Sequence, residues 1–121
     1  YKNTGSSITG FSYRAVPYGP VPTNYDYLFA YLTNELKLIE AEYSEANNAR
    51  AYEWYKAVQQ SDTSVFNEDE LETIMQILER LKDIPSWDLV ELSHKERAWI
   101  ELKESRDVVS YQEYGFDVEA I

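Results

Sequence analysis

The chain contains no cysteine and a single histidine. The first absence excludes a disulfide scaffold, thiolate zinc sites and iron–sulfur clusters, and it fits a reducing compartment. The second leaves no imidazole spacing of the kind zinc sites use. Basic residues are also scarce: 11 Lys and Arg face 22 Asp and Glu, for a net charge of −11. Such a surface is repelled by phosphate backbones and anionic membranes, which argues against nucleic-acid or membrane binding and favours a basic protein partner. In the plainer reading the carboxylates simply keep a cytoplasmic protein in solution. No apolar run has the length of a membrane span. The opening "YKNTGSSITG" lacks the charged and apolar regions of a signal peptide. The start at Tyr1 reads as a cut edge, with further residues expected before it.

What is present is the composition of one folded domain, residues 1–121, with 44% hydrophobic and 27% charged residues. The expected class is α+β, predominantly α-helical: a small helical domain with a short β-hairpin or strand pair. Residues 1–23 read as extended chain with turns, and a short strand is expected near Phe11–Ala15. Pro17, Pro20 and Pro22 exclude helix there, and Gly19 permits the positive φ of a tight turn. A helix follows, capped by Thr23 or Asn24 and striped by Tyr25, Leu28, Phe29 and Leu32, ending near Asn34. Residues 36–43 and 51–58 flank a turn-like segment around Asn47 and Asn48. A β-hairpin is the reading taken, although Ala51, Trp54, Tyr55 and Val58 also match helical spacing.

The strongest helix signal runs from Asn67. Asn67 and Glu70 have capping-box spacing, Phe66 and Leu71 that of a hydrophobic staple, and Leu71, Ile74, Met75, Leu78 and Leu81 form a stripe expected to be buried. Ser86 is expected to cap a short helix. Ser93, with Glu96, is expected to open another that carries His94 in its first turn and Trp99 beyond. The tail reads as extended over Val108–Tyr111, with a turn of helix after it.

Nothing in this pattern assembles a catalytic or metal site. Nucleophilic catalysis needs a nucleophile, a base and an orienting group that converge. His94 has only the adjacent Ser93, which the helix start claims as its cap. "NEDELE" lacks the alternation of a calcium loop, and Phe11 stands where a phosphate loop needs lysine. No catalytic residue, cofactor or metal is assigned. The aromatic content is the stronger signal: eleven Tyr, four Phe and three Trp, several of them beside the proline segment. Rings of this kind either fill a small core or anchor an interface.

Two stretches resemble a known family. "YKNTGSSITGFSYRAVPYGPVPTNYDYL" is similar to the first motif of the Panacea, or SocA-like, antitoxin domain: an extended T-G-x-x-I-x-G start, an alanine, then a G-P-V turn into a helix. "SVFNEDELETIMQILERLKDIPSWDLVELSHKERAW" resembles its second half, whose Ser/Thr–His–x–Glu–x–x–Trp signature is here Ser93, His94, Glu96 and Trp99. The resemblance covers nearly the whole chain. It implies a cytoplasmic bacterial or phage protein of a toxin–antitoxin system, not an enzyme, that neutralises a cognate toxin by direct binding. It also implies two further roles found in such proteins, delivery of the toxin to a protease and repression of their own operon through an upstream helix-turn-helix region. On that reading an N-terminal helix and any DNA-binding region precede Tyr1. A homodimer is left open. The candidate partner-binding residues are Tyr18, Gly19, Pro20, Val21, Pro22 and Tyr27, with His94 and Trp99. Two alternatives remain: a small hydrolase using His94, and the ligand-sensing or dimerisation half of a transcriptional regulator.

Overall fold

A computed structural model describes residues 1–45 and 51–115. In chain order the elements are strands β1 (Tyr13–Val16) and β2 (Gly19–Pro22), helix α1 (Tyr25–Ala30) with a π-helical turn (Tyr31–Glu35), and strands β3 (Ile39–Glu45) and β4 (Ala51–Ala57). Helices α2 (Glu68–Leu81), α3 (Ser86–Ser93), α4 (Arg97–Leu102) and α5 (Tyr111–Tyr114) follow. Among the described residues the helices are accompanied by two antiparallel strand pairs, which fits an α+β class without a clear helical predominance. The elements group into two compact units, Asn24–Asp62 and the remainder.

In the unit Asn24–Asp62, α1 and the π-helical turn follow the expected stripe, and Lys37 leaves it with a positive φ of 51°. This left-handed geometry turns the chain into β3. Residues 39–45 and 51–57 pair as a hairpin, with Ala41 opposite Tyr55 and Glu40 opposite Lys56. The helical alternative for residues 51–58 is thereby set aside. Asn47 and Asn48, on which the turn was placed, lie outside the described residues. The Phe29 ring packs at 4.7 Å from Tyr25 and 4.4 Å from Tyr55. Burial, then a hydrogen bond with Glu53, pushes the Tyr55 phenol above its ordinary range.

The other unit is organised around β1. Arg14 pairs with Val21 and Val16 with Gly19 across the β1–β2 hairpin. Tyr13 and Ala15 spend their backbone groups on the opposite side: Ala15 N–H donates to Asp107 (3.4 Å), and Tyr13 C=O accepts from Val109 N–H (2.8 Å). The residues facing them on β2 are Pro22 and Pro20, which have no N–H to offer. The prolines therefore sit where an edge strand tolerates them. This corrects one expectation: Gly19–Pro20–Val21 is strand, and the two-residue turn is Pro17–Tyr18.

Ala15, 1% exposed, lies where α4 packs on β1, and Tyr114 is 7% exposed. The Tyr114 hydroxyl donates to Glu101 at 2.8 Å, and the Arg97 guanidinium lies 4.8 Å from its ring centre. The hydrogen bond to Glu101, reinforced by burial, holds the phenol neutral and pushes its pKa from 10.0 up to about 12.

The capping box of α2 is present in both directions: Glu70 N–H donates to Asn67 Oδ1 (2.9 Å), and Asn67 N–H to Glu70 Oε2 (3.0 Å). Its expected buried stripe is not buried. Leu71, Ile74 and Leu81 are half-buried, but Met75 is 58% and Leu78 56% exposed. The stripe marks an amphipathic helix, yet no described element covers its centre. Two helix starts are also corrected. Pro85, not Ser86, is the N-cap of α3, and Ser93 ends α3 instead of opening the next helix. The Ser93 hydroxyl donates backward to Val90 C=O at 2.8 Å. Glu96 takes the N-cap position of α4.

Replacing Asn67 by alanine removes one arm of the box and should cost about 1 kcal/mol in urea unfolding. Tyr114 gives a pH test. Its native pKa is raised, so its contribution is complete below pH 10 and is lost as pH climbs toward 12. The wild type should lose stability through that window more steeply than Tyr114→Phe.

Candidate functional site

A two-residue turn leaves backbone carbonyls that its own hairpin cannot satisfy. In β1–β2 the Pro17 carbonyl is one of these, and both it and the carbonyl of Val16, which also pairs with Gly19 across the hairpin, accept from side chains far along the sequence. Trp99 Nε1–H donates to Val16 C=O at 3.0 Å, and His94 Nε2 lies 2.9 Å from Pro17 C=O. A carbonyl only accepts, so the histidine carries a proton on Nε2. The two rings stack on each other with centroids 3.6 Å apart and planes 17° from parallel. Lys103 Nζ sits 5.0 Å from the Trp99 ring centre.

The break between α3 and α4 makes this arrangement possible. In an unbroken helix, residues five apart point about 140° away from one another. Here α3 stops at Ser93, His94 is its C-cap, and the chain turns through Lys95 and Glu96 before α4 begins. The turn brings the His94 and Trp99 rings face to face. The position of His94 in a first helical turn, expected from the S-x-x-E spacing, is thus corrected.

Ser93 makes the third contact. Gly19 has φ 113°, and a Cβ placed there would stand 2.9 Å from Ser93 Oγ. Only glycine combines that backbone with that closeness. Trp99 and His94 therefore hold the turn at Val16 and Pro17, Gly19 lies close against Ser93, and Tyr18 projects from the tip, 66% exposed.

Of the eight candidate residues, Tyr18, Gly19, His94 and Trp99 come together in this clamp. Pro20, Val21 and Pro22 continue along β2 away from it. Tyr27 belongs to the unit Asn24–Asp62, where it is exposed and stacks on Tyr31 at 6.2 Å. Residue-type reasoning missed the carbonyls of Val16 and Pro17, because backbone acceptors leave no trace in a motif. It gave Ser93 the wrong task.

Next to the clamp lies a cavity of about 630 Å³, walled by Gln76, Ile77 and Arg80 of α2 and by Tyr13, Tyr111 and Trp99 opposite. The polar tips of two of these rings are committed elsewhere, Trp99 to Val16 and the Tyr111 hydroxyl to Phe11 C=O at 2.8 Å. Among the described residues no group of three or more His, Asp or Glu could hold a metal. None of the described helices is long and apolar enough to cross a membrane. Chemically the arrangement is a holder. The imidazole is bonded at Nε2 and stacked on an indole, which fixes its orientation.

The family model for the antitoxin SocA-like, Panacea domain matches residues 1–100. No curated protein and no solved structure matches the chain.

The clamp makes sharp demands on substitution. Gly19→Ala should destabilise by about 1–3 kcal/mol through its backbone geometry. Trp99→Phe, which keeps a ring but removes the indole donor from the Val16 carbonyl, should cost about 1 kcal/mol. Chemical denaturation of the two variants checks both values.

Proposed function

Since the chain belongs to the SocA-like Panacea antitoxin domain family, we propose that it is the protein-binding domain of a bacterial or phage toxin–antitoxin pair and neutralises its toxin by direct contact in the cytoplasm. The observation that carries this reading is the clamped turn. Both family motifs converge on it, and their side chains are used to hold backbone and not to activate a nucleophile. A turn held at Val16 and Pro17 presents Tyr18 with little conformational freedom left to lose, which lowers the ordering cost of binding. Exposed tyrosine on a rigid mount is a common interface anchor.

The charge of the chain supports the same reading. With a net −11, it attracts basic surfaces over a range set by ionic strength and discourages acidic competitors. Toxins that act on RNA carry such basic surfaces. The hydrolase alternative would need a nucleophile and a carboxylate at His94, and among the described residues the hydrogen-bond partner of its ring is the Pro17 carbonyl.

Co-expression with the gene beside it tests the proposal. Growth arrested by that neighbour should recover when this chain is produced. Tyr18→Ala should weaken recovery while leaving the circular dichroism spectrum unchanged. Arrest that persists with the wild-type chain folded and abundant would refute the reading.

A further inference from the structure

We propose that the exposed stripe of α2 is a second contact surface for the partner, and that its occupant is an amphipathic helix with a basic flank. The proposal rests on the toxin-binding reading above and names the chemistry that would meet it. Leu71, Ile74, Leu78 and Leu81 repeat at the three- and four-residue steps of a helix-pairing seam, with Met75 beside them. Met75 and Leu78, at the centre of the stripe, are the exposed members. A row of half-buried and exposed apolar side chains on a firmly capped helix is the presentation that helix-in-groove recognition uses. Methionine at its centre adapts to differently shaped knobs.

The flanking charges say what kind of helix can lie there. Glu68, Glu72 and Glu79 follow one another at steps of four and seven, so they form a single row along the Met75 edge of the stripe. Lys82 answers one of them, Glu79, at 2.7 Å, and Gln76 donates to Glu72 at 3.0 Å. The edge remains acidic. A second copy of this chain is a poor occupant. Antiparallel pairing through the stripe sets the carboxylate row against its own image, and parallel pairing sets it beside Glu70 on the other edge. A helix with lysine or arginine along its flank meets the apolar stripe and the carboxylates together.

The test uses the whole chain and a synthetic amphipathic helix of about 20 residues, with leucine along its seam and lysine on its flanks. Fluorescence anisotropy should show binding, and Met75→Glu/Leu78→Glu should weaken it about tenfold or more. Glu72→Lys/Glu79→Lys should weaken it as well. Glu40→Lys/Glu42→Lys on β3, with the same change in net charge, should not. Equal losses from the two charge reversals, or no binding by the wild type, would overturn the proposal. So would sedimentation showing a wild-type dimer that Met75→Glu/Leu78→Glu dissolves, because the stripe would then be a self-interface. The growth assay separates this surface from the reading it rests on. Full rescue by Met75→Glu/Leu78→Glu would remove the surface and leave neutralisation standing, whereas no rescue by the wild type would remove neutralisation itself.

Discussion

Two hydrogen bonds from ring nitrogens to the carbonyls of Val16 and Pro17 fix the geometry on which the functional account depends. Within the β1–β2 connection Val16 pairs with Gly19, but the Pro17 carbonyl has no partner in the turn itself. Acceptors left unpaired in a partly buried place are costly. His94 and Trp99 supply the donors, and their mutual stacking holds each donor at its angle. Ser93 closes the third side against Gly19. Most of the local chain path then follows. The helix must break after Ser93, glycine must occupy position 19, and β1 must lie close enough to α4 that only a small residue, Ala15, fits between them.

This requirement also explains which features could be read from sequence and which could not. The capping box of α2 was legible because all its parties lie within four residues and their chemistry is self-contained. The β3–β4 hairpin was legible from its β-formers and from the turn composition between them. The Ser93–Trp99 segment was not. Its S-x-x-E spacing satisfies a local helix-start rule, and locally nothing contradicts it. The competing interactions lie 77 and 83 residues away, and two ring hydrogen bonds reinforced by mutual stacking outweigh one side-chain cap. The burial of the α2 stripe failed for a related reason. Periodicity reports that one face is apolar, but only the arrangement of the other elements decides whether that face is covered.

The candidate site was half legible. Gly19, His94 and Trp99 are candidate recognition residues in the sequence, and in the structure their contacts are with the turn itself. Tyr18 alone among the clamp residues faces outward. On the proposed reading the labour divides: inward-facing motif residues create rigidity, while the exposed aromatic and the apolar stripe of α2 provide contact area. It also accounts for a domain rich in tyrosine and tryptophan that has few fully buried side chains among the described residues. Many of its rings serve as surface.

The most direct test of this account is amide hydrogen exchange on the chain with and without the toxin whose arrest it relieves. The account predicts new protection in peptides spanning Tyr18 and α2, with the β3–β4 hairpin unchanged. Protection confined to β3 and β4, with Tyr18 and α2 exchanging as in the free chain, would contradict it.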